Sequence, residues 1–227
     1  MHFMDALQYP MQDKGWLGKL AILVVLLFIP IFGWFIIGGY ELRLIQRIYR
    51  REPGLPEWDD WGGDLTRGFM AFVGGLIYAI PNIIIACCNA GLGQSDSGGA
   101  AALSCLLNFI SLGYSLLITP LLFSAIAHYA ATEDFSAFTN IAGRIQDATG
   151  NLNNTLMLYV DLIIFYIIAW IIVAIGILLC CIPGLLAMAA TSLALYYIIA
   201  QWGIQIGAAG GAGPQYMGPP PQQGFSF

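Results

Sequence analysis

Apolar residues in this chain come in long unbroken runs rather than in the spaced stripes of a soluble helix. Crossing about 30 Å of hydrocarbon at about 1.5 Å per residue takes about 20 residues. The stretches 17–40, 69–90 and 100–127 each reach that length, and 156–206 is about twice too long for one crossing. The last stretch must therefore turn back, and Cys181-Ile182-Pro183-Gly184 is its strongest helix-breaking point. The pattern predicts an all-α fold: a polytopic transmembrane helical bundle of about five spans. Each apolar stretch carries one proline (Pro30, Pro81, Pro120, Pro183), so the helices are expected to be kinked.

The polar segments divide the chain into an N-terminal interfacial segment (1–15), a transmembrane domain (16–206) and a Gly/Pro/Gln-rich flexible tail (207–227). Past Tyr40 the first helix is expected to continue into water. Arg43, Arg47, Arg50 and Arg51 share one face there, and Leu44, Ile45, Ile48 and Tyr49 form a second, membrane-facing one. A second interfacial helix is expected after the third span. Thr132 would cap it, Phe135, Phe138, Ile141 and Ile145 would point to lipid, and Gly150 would end it. With five crossings, six arginines fall on one side and Lys14 and Lys19 on the other, which makes the arginine-bearing loops and the tail cytoplasmic. A re-entrant first segment turning at Pro30-Ile31-Phe32-Gly33 would instead put all eight basic residues inside; the straight crossing is the preferred reading.

Composition agrees with the bilayer and narrows the chemistry. Only 9% of residues are charged and 59% are hydrophobic, against about 25% charged in soluble domains. A net charge of −5 without clustered Lys/Arg on a recognition motif argues against nucleic acid. The sequence has no phosphate-binding loop, no zinc spacing and no HExxH, so neither a cofactor nor an enzymatic activity is expected.

The most unusual phrase is Leu55-Pro-Glu-Trp-Asp-Asp-Trp61. On a helix, Trp58, Trp61 and Leu65 would share a face able to dip into the interface. Six acids between 41 and 64, among them Glu41, Glu57, Asp59 and Asp60, nearly balance five arginines, which invites ion pairing. The stretch is read as an interfacial anchor (Trp58, Trp61, Glu57, Asp59, Asp60). A divalent-metal site on its three carboxylates is the lesser reading, because the spacing matches no calcium loop. Inside the spans, Asn82 and Asn108 are expected at matching depth, about 10–12 Å into the bilayer, hydrogen-bonded to each other. Asp161, the one acid within an apolar span, is placed at the level of Gln205, with Arg144 as its candidate partner. Cys87, Cys88, Cys105, Cys180 and Cys181 all fall at the non-cytoplasmic ends, where an oxidising compartment would permit a disulfide.

The order of ALQYPMQDKGW (6–16), GGY followed by arginines (38–51), LPEWDDWGGDLTRGF (55–69), EDFSAF (133–138) and IPG (182–184) resembles a prokaryotic multi-pass membrane family known as domain of unknown function four-zero-one-three. The likeness covers most of residues 6–206, with PEWDDW as its most specific element; the cysteine-rich ends and the tail depart from it. The resemblance implies a prokaryotic plasma-membrane protein and carries no activity. The expected role is a non-enzymatic structural or accessory subunit, partnered by the lipid bilayer and by other membrane proteins or further copies of itself. The alternative is a small-solute transporter or channel using Asn82, Asn108 and Asp161.

Overall fold

The computed structural model describes residues 6, 8–92, 98–179 and 181–210. After a short 3₁₀ turn at Tyr9–Gln12, the helices are α1 (Trp16–Leu27), α2 (Phe32–Tyr49), α3 (Trp61–Leu92), α4 (Gly98–Thr132), α5 (Ser136–Thr139), α6 (Ile141–Gly150), α7 (Leu152–Leu179) and α8 (Cys181–Gln205). Among the described residues α3, α4, α7 and α8 are long and apolar enough to cross a membrane. The chain is thus an all-α, multi-span membrane bundle.

The first apolar stretch departs from a straight span. It breaks at Phe28–Ile31, where Pro30 removes a donor and Ile31 takes φ +68°, and the chain folds back as a hairpin. The reversal is fixed by contacts between the two ends of the hairpin. Lys19 Nζ donates to Leu55 O at 3.0 Å, Leu55 N donates to Asp13 Oδ2 at 3.0 Å, and Tyr9 OH donates to Gly54 O at 3.2 Å. At 12 residues α1 is about 18 Å long, too short to cross. Residues 12–19 therefore lie at the same end of the bundle as the arginines, the arrangement of the re-entrant reading.

The hairpin is the hub of the bundle, with α2 packing on α1, α3, α4 and α8. Against α3 the approach is close because Gly39 and Gly68 meet there. A Cβ on Gly39 would lie 1.9 Å from Asp64 O, and one on Gly68 would lie 1.8 Å from Phe35 O. Leu44 and Ile45 are fully buried and Ile48 nearly so, which places them in the protein core rather than on the membrane surface.

The expected second interfacial helix is two helices. α4 runs to Thr132, a turn with Glu133 at φ +54° follows, and Asn140 caps α6 by accepting from Gly143 N at 3.0 Å. Thr132 Oγ1 accepts from Asp134 N within that turn instead of opening a helix. Phe138 is buried against the bundle, its carbonyl taken by Tyr78 OH at 2.9 Å, whereas Ile141 and Ile145 are exposed.

Pro81 and Pro120 sit inside continuous helices. A proline leaves the carbonyl four residues earlier without its helical donor. For Pro120 that carbonyl is Leu116 O, and the Tyr159 hydroxyl of α7 donates to it. Pro183 falls in the first turn of α8, where a proline is tolerated, so the reversal, between Leu179 and Cys181, lies at the leading edge of the expected stretch. The α7–α8 register shifts with it. Leu158, Leu162 and Phe165 pack with Trp202, Ile198 and Ala194, which moves Asp161 off the level of Gln205.

The glycine crossing yields a first prediction. Gly39→Ala should force α2 from α3 and lower the melting temperature in detergent, at a cost of about 1–3 kcal/mol as for core overpacking. Gly75→Ala, whose Cβ would meet nothing within 4 Å, should leave it unchanged.

Candidate functional site

The polar residues gather where α2, α3 and the connection between them meet. α2 presents Arg43 and Arg47 one turn apart, and α3 presents Asp64 and Arg67 in its first two turns. The connecting stretch is held by its backbone. Tyr40 OH donates to Pro56 O at 3.0 Å, Arg43 Nη2 to Glu57 O at 2.8 Å and Arg47 Nη2 to Pro53 O at 2.8 Å.

Asp64 is the centre of the site. It has no exposed surface and accepts from Arg43 Nη2 at 2.6 Å and from Arg67 Nη2 at 2.9 Å. Around it the acids of the motif each take a different cation. Asp59 pairs with Arg43 at 2.7 Å, Asp60 with Arg67 at 2.6 Å and Glu57 with Lys19 at 2.7 Å. Lys19, itself buried, also binds Asp13 at 2.8 Å. The three carboxylates read from sequence as a minority metal site thus point to three separate cations. Arg67 Nη1 reaches Glu133 Oε1 at 3.6 Å, which adds the α4–α5 turn to the network.

Of the two tryptophans, Trp58 turns toward the protein core. Trp58 precedes the helix rather than lying on it. It stacks on fully buried Tyr40 at 4.0 Å and 11° and against Trp61 at 5.1 Å. Such stacking is worth about 0.5–1.5 kcal/mol beyond area burial. Trp61 is the exposed member of the pair. The motif therefore clamps α2 to α3.

A second polar cluster ties α6 to α4. Ser124 Oγ donates to Asp147 Oδ2 at 2.5 Å, and His128 Nε2 lies 3.2 Å from the same oxygen. Arg144 Nη1 donates to Ser124 O at 3.3 Å, and Arg144 Nε lies 3.5 Å from Asp147. The carboxylate stands between hydroxyl and imidazole, whereas a nucleophilic triad places the imidazole in the middle. Arg144 is thereby committed to Ser124 and Asp147 rather than to Asp161, which is half-buried on α7.

Asn82 and Asn108 do not meet. Asn82 Nδ2 donates to Ser115 Oγ at 2.9 Å and its oxygen accepts from Ser111 Oγ at 2.8 Å, while Asn108 accepts from Asn89 at 3.1 Å. The actual partners, Ser111 and Ser115, lie about one and two turns along α4 from Asn108. Cys87, Cys88 and Cys105 are free, exposed thiols. The side chains of Cys180 and Cys181 lie outside the described residues, as does the tail from 211.

Glu41 was counted from sequence among the ion-paired acids, and it stands apart. It is buried, and its hydrogen-bond partners are Ser192 and Tyr196 of α8 rather than an arginine. No spacing in the sequence marks it, because the pairing joins residues about 150 apart.

A comparison with protein families matches residues 22–184 to a protein of unknown function, DUF4013. The chain belongs to that family. The match takes in the hairpin from the middle of α1, the PEWDDW clamp and the α7–α8 reversal. No curated protein and no solved structure matches this chain.

Two predictions test the clamp. Asp64→Asn leaves two guanidiniums facing each other in a buried space and should cost about 3–5 kcal/mol. Asp59→Asn, at an exposed pair, should leave stability nearly unchanged. Chemical or thermal unfolding in detergent separates the two values. Proton linkage gives the second. The Arg43 guanidinium holds Asp59, and Arg67 holds Asp60, below the ordinary aspartate value of 3.8. Burial pushes Asp13 up, but Lys19 and the Gly15 and Leu55 amides outweigh it and hold it low. Depressed carboxyls stabilise fully above their ordinary range and lose that contribution as pH falls through the folded values. Proteolysis of the 50–60 connection should therefore stay constant on acidification to about pH 5 and rise below about pH 4.

Proposed function

We propose that this protein is a non-enzymatic structural or accessory subunit of a membrane complex in a prokaryotic plasma membrane. The observation that carries the reading is how the polar groups are used. Glu57, Asp59, Asp60 and Asp64 are all spent on cations of the same chain. What the chain offers outward along its spans is apolar, with Phe109, Leu117, Trp170 and Leu178 among the most exposed side chains. Such surfaces suit lipid or the helices of other membrane proteins.

The hairpin supports one orientation, with the charged rim in the cytoplasm. Measured from Lys19 to Phe28 and from Gly39 to Phe32, its tip reaches about 10–14 Å beyond the charged rim, roughly half the hydrocarbon thickness. Phe28, Ile31, Phe32 and Trp34 at the tip are exposed to that layer. With the hairpin returning, Lys14 and Lys19 join the six arginines, and this charge bias favours a cytoplasmic rim.

Two experiments check this reading. Gentle detergent extraction and native electrophoresis should show the chain migrating in a larger assembly, with partners identified by mass spectrometry; an unpartnered monomer rejects the subunit. In a background with all five cysteines replaced by serine, Met11→Cys and Arg50→Cys should react with an impermeant thiol reagent from the same face of the membrane. Labelling from opposite faces rejects the re-entrant hairpin.

A further inference from the structure

We infer that Glu41, together with Ser192 and Tyr196, forms a proton-binding site at the α2–α8 contact, and that its occupancy sets how firmly the hairpin docks on the last helix. The inference stands independently of the subunit reading.

Glu41 lies at the level of the charged rim, since neighbouring Gly39 packs on Asp64 and Arg43 on the next turn bonds Asp64. Yet the cations on the helices packed around it are committed elsewhere. On α2 itself, Arg43 holds Asp59 and Asp64, and Arg47 holds Glu52. On α3, Arg67 holds Asp60 and Asp64. On α1, Lys19 holds Asp13 and Glu57. On α4, His128 faces Asp147. From α8 the groups facing Glu41 are Ser192 and Tyr196. Among the described residues the carboxyl is thus enclosed with two hydroxyls and no positive charge is directed at it, a setting that favours its neutral form.

The hydroxyls suit a group that changes protonation. A hydroxyl can donate or accept, whereas an ammonium or guanidinium only donates. Ser192 Oγ, 2.9 Å from Ala189 O, can donate to that carbonyl while accepting from a protonated Glu41, or turn to donate to the ionised carboxylate. When Glu41 ionises, the proton leaves to water, and Ser192 must release Ala189 to donate instead. Burial pushes the Glu41 carboxyl up to about 7, with the Ser192 and Tyr196 hydrogen bonds pulling the other way.

The sign of the linkage is opposite to that of the rim aspartates. A carboxyl raised in the folded state binds its proton more tightly than the unfolded chain does. Stability therefore declines as pH rises from the ordinary glutamate value of 4.5 to about 7 and levels off above.

The test uses the full chain in lipid nanodiscs and detergent, with the proton itself as the probe. Infrared difference spectra should show a neutral-carboxyl band that is lost as pH rises through about 7 and is absent in Glu41→Gln. Between about pH 5 and about pH 7, the melting temperature of the wild type should fall, and Glu41→Gln should flatten that slope. Tyr196→Phe removes a donor to the carboxylate and should move the infrared midpoint upward by about one pH unit, a tenfold rise in proton affinity. An Asp161→Asn variant should retain the band. The proposal is overturned if the band survives Glu41→Gln, if the slope persists in that variant, or if Tyr196→Phe leaves the midpoint in place. Should Glu41→Gln fail to fold, the wild-type titration and its displacement by Tyr196→Phe decide the matter.

Discussion

Asp64 is the point on which the charged end of the bundle hangs. A carboxylate with no exposed surface is expensive to bury, and it persists here because guanidiniums from two helices close on it. Its position is not free to vary. The backbone of Asp64 lies against Gly39, so the helix crossing and the ion pair specify each other. Removing the glycine contact would part the charges, and removing the charge would leave the crossing with two facing cations.

That arrangement explains why PEWDDW has the composition it has. Proline and the following residues hold an extended connection whose carbonyls are taken by Tyr40, Arg43 and Arg47. Trp58 fills the space over Tyr40, and the acids reach outward to Lys19, Arg43 and Arg67. A connection of this kind converts two helices and a hairpin into one rigid unit, from which the longer helices run outward into the bilayer.

The class of fold was legible in the chain because length and apolarity are local properties. Runs such as 69–90 and 100–127 identify membrane helices wherever they end up. Charge balance around 41–67 likewise pointed to pairing, though not to which acid meets which cation. What sequence could not supply was registry. Asn108 meets Asn89 rather than Asn82, because how far two packed helices slide and rotate against each other is set by their whole contact surface and not by any local pattern. The hairpin hid for a similar reason: 24 apolar residues look alike whether they cross or return, and Pro30 permits both. Glu41 was misplaced because it shares a segment with the arginines but faces the other way, towards a helix that follows it by about 150 residues.

The Tyr159 hydroxyl on Leu116 has a bearing on biogenesis. α4 leaves the ribosome well before α7, carrying the carbonyl that Pro120 strands. In hydrocarbon an orphaned carbonyl costs several kcal/mol, so the newly inserted first pair of spans is chemically incomplete until the second pair arrives. The later helices therefore finish the earlier ones, and synthesis order becomes a sequence of debts settled by side chains not yet made.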